Sequence, residues 1–453
     1  MEYLDAMWKE RDRIVQQPIA SALRTVALPA VGSSLFYVVF EIVDMFWVGK
    51  LGAVPVAALS AASFFVWMLR ALAQTVATGV IAFVSRRVGE NDSEGFLNTA
   101  VHSVTATFLF AVLMIVIFLP VTKPLFLWIR LDPRVADLAA EYAVVFLSGL
   151  IFVYTMVTVE HILRGTGETR TPMIIIGFAL FLNAVLDPVF IFVLNMGLRG
   201  AAVATILAHA VGCLVMMGFL LKRYPEIRRR KPSLRKSFFH ESFLPMMKIG
   251  APIAFSGASF SVIHLFLSGI ISIFGSAPLA AVGIGHRLEA FPFFVAFGFS
   301  MATATMVGQN LGAGNPQKAK RSALVTLGIS SAVLLLVSVV FFLFAEHLYR
   351  FFIADPDVIR HGVNYLRIIA VFEVFLASEV VLEGAFSGAG DTRPPFLVVF
   401  PITFLRIPLS YLFAVTLGFG VTAVWAAISI STLFKGIILF GWFMKDGWMK
   451  KQF

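Results

Sequence analysis

Apolar runs of roughly 20 residues or more alternate with short segments rich in charge, Gly and Pro from one end of the chain to the other. A helix rising about 1.5 Å per residue needs about that length to cross a hydrocarbon core about 30 Å thick, so each run suits a membrane span. Boundaries set by flanking charge, Gly and Pro predict twelve helices, at 21–48, 54–84, 97–120, 137–160, 171–195 and 199–221, then 244–273, 278–307, 321–344, 360–384, 394–416 and 421–443.

The pattern repeats. One constant shift carries Pro29 onto Pro252, LGAVPVAAL from Leu51 onto FGSAPLAAV from Phe274, and Gly89 onto Gly312. The same shift carries Asp132-Pro133 onto Asp355-Pro356, Tyr142 onto Tyr365, Glu160 onto Glu383, and RGTGETRTP from Arg164 onto SGAGDTRPP from Ser387. One register held this long marks two copies of a six-helix unit. An even number of spans gives both copies one orientation, with the pseudo-twofold axis along the membrane normal and a central cleft between lobes. The expected domains are an N-terminal lobe at 1–221, a basic linker at 222–243 and a C-terminal lobe at 244–453.

Composition agrees: of 453 residues, 59% are hydrophobic and 14% charged, and the mean hydropathy is +0.89, leaving too little polar surface for a soluble globule. No cleavable leader is expected, because the N-terminus is a charged amphipathic stretch with Lys9, Arg11 and Arg13. A single cysteine, Cys213, excludes an internal disulfide or a cysteine metal site. Most Lys and Arg fall on the tails and even-numbered connections, whereas the odd connections hold only Lys50, Lys123, Arg130, Arg134, Arg199, Arg350 and Arg360. The positive-inside rule therefore places both termini in the cytoplasm of a multi-pass cell-membrane protein. The net charge of +10 is topological. Its densest block, Lys222 to Lys236, reads as a linker facing anionic lipid, and no nucleic-acid partner is expected.

Several stretches together resemble the multidrug and toxic compound extrusion (MATE) family of secondary transporters. They are ALPAVGSSLFYVVFEIVDMFWVGKLG with Asp44, FLNAVLDPVFIF from Phe181, VGQNLGAGNPQKAKRSA from Val307, and the paired G-x-G-[DE]-T-R-x-P turns at Gly165 and Gly388. The resemblance covers essentially the whole chain. Asp44 with Asp187, and no acid around His264 or Leu267, is similar to the DinF-like branch. It implies a cation-coupled antiporter that exports amphipathic, cationic organic compounds by alternating access. A flippase for a lipid-linked precursor is the alternative within the same superfamily.

The residues point to where coupling sits. An Asp inside a span costs about 3 kcal/mol on insertion scales, which marks Asp44 and Asp187 as functional candidates. The repeat shift sends Asp44 to Leu267, Asp187 to Ser410 and Asn183 to Arg406, which predicts a polar cluster in the N-lobe alone. Asn183 and Asp187 share a helix face, Pro188 frees the carbonyl of Ala184, and Thr205 and Tyr142 fall at the same outer depth. Carboxylate, amide, hydroxyl and carbonyl oxygens without His or Cys suit a hard cation. The pair either shares a proton, or Asp44, Asn183, Asp187 and Thr205 hold Na⁺. Glu41 joins Asp44 one turn away, while Phe36, Tyr37, Phe40 and Trp67 are the expected cavity wall and Pro29 a bend in the first span. Arg70, Arg287, Glu289 and Arg406 are expected to pair between helices or line the cleft, and Glu383 to be structural. No P-loop, DDxxD or HExxH occurs, so neither ATP-driven pumping nor an enzyme is expected. The only expected ligands are H⁺ or Na⁺, the substrate and the bilayer, with no cofactor and a monomeric chain.

Overall fold

In hydrocarbon a backbone must satisfy its own N–H and C=O groups, so each apolar run folds as one long helix. The computed structural model describes residues 2–128, 131–230 and 243–451, and all regular structure there is helical. Arg130 and the linker residues 231–242, which carry Lys231 to Lys236, lie outside the described residues.

The first half contains α1 (Glu2–Val15), α2 (Ile19–Gly49), α3 (Ala53–Gly89), α4 (Ser93–Trp128), α5 (Pro133–Ser148), α6 (Leu150–Gly165), α7 (Arg170–Pro188) and α8 (Gly197–Arg223). A helical turn, α9 (Glu226–Arg229), opens the linker. The second half contains α10 (Phe243–Ser272), α11 (Ser276–Gly312), α12 (Pro316–Phe352), α13 (Pro356–Gly388), α14 (Arg393–Ser410) and α15 (Val421–Phe443). Ten helices among the described residues are long and apolar enough to cross a membrane, and the bent pair α5 and α6 makes eleven. The remaining predicted span, α13, carries Arg360, Arg367, Glu373, Glu379 and Glu383, too much charge to qualify on composition. Its 33 residues still rise about 50 Å, and it packs against α11, α12 and α15.

The backbone repeats in detail. The left-handed positions Gly52, Asn91, Gly167, Asn195 and Gly197 recur at Gly275, Gly314, Gly390, Gly418 and Gly420, each under the same shift. A π-helical turn follows α7 at Val189–Val193 and α14 at Tyr411–Thr416. Tyr411 stands at the register of Pro188, so the turn belongs to the shared architecture and does not need the proline. Asp132 and Asp355 cap equivalent helices through Oδ1, which accepts from Arg134 N at 2.9 Å and from Asp357 N at 2.9 Å.

Among the described residues the copies part most clearly at Gly149. The single helix predicted at 137–160 is bent by 54° where α5 gives way to α6, at Gly149. Ile206 of α8 fills the space a side chain at 149 would need, and the matching α13 residue is Phe372, within an unbroken helix. The wedge of α8 against Gly149 thus accounts for a break that the apolar pattern does not signal. By contrast α2 runs as one continuous helix through Pro29, with Ser33 Oγ donating to the Pro29 carbonyl at 2.9 Å.

The lobes meet along α3 and α11. Gly89 packs on the backbone of Gln309, and Gly312 packs on the backbone of Arg86. The repeat shift turns one contact into the other, so the local axis passes between these helix ends. Only glycine allows such backbone approach. Further contacts, Gly250 of α10 on Thr75 of α3 and Gly298 of α11 on Val31 of α2, fall in the halves of their helices nearer the face that carries the N-terminal tail, and Gly257 of α10 meets Ala71 of α3 at mid-helix. On that face α1 bridges the seam. Met7 enters the N-lobe core and Ile14 the C-lobe core. Arg11 Nη2 donates to the last α3 carbonyl, Gly89 O, at 3.1 Å, and Lys318 Nζ of α12 donates to Val15 O at 2.6 Å. Arg86 Nη1 reaches Lys451 O at 3.0 Å, which ties the C-terminal tail to α3.

Candidate functional site

The five residues expected to handle the ion lie together in the N-lobe, in the membrane half away from the sealed face. Asp44 is near the end of α2, Tyr142 on α5, Asn183 and Asp187 on the last turns of α7, and Thr205 near the start of α8. All five are buried. Asn183 and Asp187 stand one turn apart, so Asn183 Nδ2 donates to Asp187 Oδ1 at 3.1 Å and reaches Thr205 Oγ1 at 3.5 Å. The Asp44 and Asp187 carboxyls meet within hydrogen-bond reach, and the Tyr142 hydroxyl meets Thr205. Asp44 Oδ1, Asn183 Oδ1 and Asp187 Oδ2 are buried without a protein partner.

Two carboxylates cannot hydrogen-bond each other unless a proton or a cation lies between them. The three open oxygens provide for either, as each could accept from a shared proton's network or ligate a small hard cation.

One histidine borders this group without entering its set of side-chain oxygens. His209, one turn beyond Thr205 on α8, touches it through the backbone: His209 Nδ1 lies 2.8 Å from Thr205 O, and Nε2 lies 3.4 Å from Arg70 Nη2 of α3. A carbonyl only accepts, so Nδ1 carries the hydrogen and Nε2 accepts from Arg70. The i, i+4 spacing of Thr205 and His209 is the signal in the sequence that could have found it. Arg70 rests on Tyr37 and Phe40, 5.6 and 5.9 Å from the ring centroids.

The expected cavity wall divides. Tyr37 stacks on Phe294 of α11 at 6.4 Å, and Trp67, 37% exposed, meets the same ring edge-on at 6.5 Å. Trp67 Nε1 donates to Glu41 Oε1 at 2.9 Å. Tyr37, Trp67, Glu41 and Phe294 thus form an aromatic floor with one acid where the lobes part. Glu41 is held by Trp67 and does not enter the Asp44 and Asp187 group. Phe36 turns away from that floor, packs on Gly177 of α7, and with Phe40, Arg70 and His209 lines a cavity of about 20 Å³ inside the N-lobe, room for about one water.

The C-lobe holds a polar interior of its own, which includes Arg406, one of the residues expected to pair between helices or line the cleft. Lys435 Nζ pairs with Glu379 Oε1 at 2.6 Å. Arg406 donates to Ser431 Oγ at 2.6 Å and to Thr432 Oγ1 at 3.1 Å, whereas the Tyr365 hydroxyl and Glu289 Oε1 are buried without a partner. His264 and His286 pack with ring centroids 4.8 Å apart. Apart from Tyr365, which matches Tyr142, these groups stand at registers where the N-lobe is apolar or differently polar. Arg406 also borders a cavity of about 680 Å³ between α14 and α15 whose walls, Leu405, Phe413, Phe419 and Phe434 among them, are otherwise apolar and exposed.

Comparison with known proteins places this architecture. The MatE family model matches residues 29–189 and again 252–412, two stretches related by the same shift as the internal repeat. A protein of Thermotoga maritima named probable multidrug resistance protein NorM is 28% identical over 439 residues, covering 96% of this chain and 94% of its own. A multidrug resistance MATE family transporter of the MOP superfamily, solved in an outward-facing conformation, superposes with a TM-score of 0.90 at 25% identity, over 98% of this chain and 99% of its own. A MOP superfamily transporter from Pyrococcus furiosus superposes equally well, at TM-score 0.90 and 26% identity, over 98% and 99%. With two family matches in register, the two-lobed fold and the membrane spans in agreement, the chain belongs to the MATE family of multi-pass membrane transporters.

Proposed function

We propose that the chain exports amphipathic organic compounds, cationic ones among them, in exchange for H⁺ or Na⁺. The observation that carries this reading is the meeting of Asp44 and Asp187 in the N-lobe, with three oxygens open and the seal on the opposite face. Asp44, Asn183, Asp187 and Thr205 hold the ion, and Tyr142 orders Thr205. The glycine seam of α3 and α11, with both termini on the cytoplasmic face, closes the cytoplasmic side and leaves the outer side as the entry for the ion. Substrate rests on the aromatic floor of Tyr37, Trp67 and Phe294 beside Glu41. Such a wall, with few fixed polar anchors, accepts many amphipathic shapes. The lobes at 1–221 and 244–453 then rock about the seam, joined by the linker at 222–243, and one copy contains everything the cycle uses. The names of the Thermotoga relative and of the outward-facing neighbour support drug export, and they do not favour a lipid-precursor flippase.

The test is extrusion of a fluorescent cationic dye from proteoliposomes under an imposed pH gradient and, separately, an imposed Na⁺ gradient. One gradient drives dye movement in the wild type, and Asp187→Asn removes it. Dye movement by Asp187→Asn at the wild-type rate would overturn the coupling site, and flipping of labelled lipid with no dye movement would overturn drug export.

A further inference from the structure

Arg287 of α11 is an exposed guanidinium set about 16 Å in from the outer end of its helix, counted at about 1.5 Å per residue. Among the described residues it forms no ion pair and no hydrogen bond. Its direction follows from the stripe it belongs to. Arg287, Phe291, Phe294 and Gly298 recur at helical spacing and so share one face of α11. Gly298 packs on Val31 of α2, and Phe294 stacks on Tyr37 of α2 and meets Trp67 of α3. That face looks at the N-lobe, and Phe291 and Arg287, both exposed, continue it outward to where the lobes part.

The facing wall is α2. It runs antiparallel to α11, since Val31 meets Gly298 and Tyr37 meets Phe294, so one turn beyond Tyr37 brings Glu41 level with the turns that carry Phe291 and Arg287. Glu41 Oε1 accepts from Trp67 Nε1 at 2.9 Å, and among the described residues Glu41 forms no ion pair. Arg70, which rests on Tyr37, is bonded to His209 inside the N-lobe. Neither Glu41 nor Arg287 is owed to the shared fold, because the repeat shift sends Arg287 to Phe64 and Glu41 to His264. A cation in a span with no acid on it is costly against lipid, whereas on a cleft wall its partners are water and whatever the cleft admits.

We infer that Arg287 sets the charge choice of the cleft: it holds an anionic group of the substrate while Glu41 holds a cationic one, with a flat aromatic body between them on Tyr37, Phe294 and Trp67. The favoured substrate is then a zwitterionic aromatic amphiphile, and a compound with the cationic end alone leaves the guanidinium unanswered. The planar fork of N–H donors on a guanidinium suits a carboxylate, so the preference extends to shape as well as sign. This choice rests on the export reading above, and Asp44 and Asp187 have no part in it.

The test is dye binding, followed by fluorescence anisotropy, to the full-length protein in nanodiscs, with empty nanodiscs as the blank and no ion gradient. The probes are rhodamine B, which carries a xanthylium cation and a carboxylate on one aromatic frame, and its ethyl ester, which carries the cation alone. Wild type binds both, the acid more tightly. Arg287→Gln weakens rhodamine B about tenfold and leaves the ester within about twofold. Arg287→Glu, with the charge reversed, puts the ester ahead. Because the Arg287 side chain has no described partner in the protein, neither change threatens the fold. Glu41→Gln weakens both dyes, and an ester that binds this variant as well as wild type removes Glu41 as the cation's partner and overturns the pairing. Equal effects of Arg287→Gln on the two dyes, or no effect on either, overturn the inference and leave export standing. Binding of neither dye to wild type above the blank would overturn drug export itself, so the two failures read differently.

Discussion

Where α7 carries Asn183, α14 carries Arg406; where α8 carries Gly212, α15 carries Lys435; and where α6 carries Met156, α13 carries Glu379. The same backbone therefore encloses two different kinds of polar interior. In the C-lobe the cations come with partners: Lys435 holds Glu379 at 2.6 Å, and Arg406 is bonded to Ser431 and Thr432. In the N-lobe, carboxyl meets carboxyl while the nearby guanidinium is left on aromatic rings. The C-lobe also leaves buried acid oxygens open, Glu289 Oε1, Glu373 Oε1 and Glu379 Oε2 among them, so what sets the N-lobe apart is a neighbouring pair of aspartates to which, among the described residues, no cation is bonded. Since both lobes build the same fold, the unpaired arrangement of the N-lobe is not required by that fold.

The largest effect expected of a single substitution tests this contrast directly. Lys435→Met strands Glu379 in a buried site and costs about 3–5 kcal/mol, whereas Glu379→Gln with Lys435→Met together recovers most of it. Asp187→Asn removes one of two facing acids and leaves thermal stability unchanged or raised, although it abolishes coupled transport. Thermal unfolding in detergent of the four proteins decides the matter, and an Asp187→Asn protein as unstable as Lys435→Met would erase the distinction between the lobes.

These contrasts also show how much was legible in the sequence. Hydropathy and the repeat locate every long helix, including α13, because the match to the first copy supplies what its charge conceals. The cluster of Asp44, Asn183, Asp187 and Thr205 was legible because an acid inside an apolar run is conspicuous and depth can be counted along a helix. His209 could have been read from its spacing to Thr205, whereas its contact with Arg70 depends on how α3 and α8 pack, which nothing local to either helix records. In the C-lobe, Glu289 and Arg406 were legible as charged residues within spans, whereas the pairing of Lys435 with Glu379 depends on how α13 and α15 pack.

A smaller effect follows from the bend at Gly149, where the backbones differ. Gly149→Leu must displace Ile206 of α8, and overpacking of this kind costs about 1–3 kcal/mol. Because the bend leads from Tyr142 on α5 into α6, the same substitution should slow ion-driven dye export even in the fraction that folds. Export at the full wild-type rate per folded molecule would show that the bend is an accommodation to α8 and has no part in setting the site.

The smallest effect bears on the seam, where the lobes are most alike. The glycine contacts of Gly89 and Gly312 are equivalent under the repeat, yet Arg11 of α1 caps only the α3 end, through bonds of 3.1 and 3.4 Å to Gly89 O. Bonds this long are worth about 1 kcal/mol, so Arg11→Ala should raise the opening of the seam about fivefold. Amide hydrogen exchange over residues 86–92 and 309–315 distinguishes two roles for α1. If α1 only finishes the end of α3, exchange rises in the first segment alone. If it holds the lobes together, the second segment, which Arg11 does not cap, rises by the same factor. The burial of Met7 in one lobe's core and Ile14 in the other's leads us to expect the second result. The helix would then be a brace across two matching halves, and its release would be part of every opening on that face.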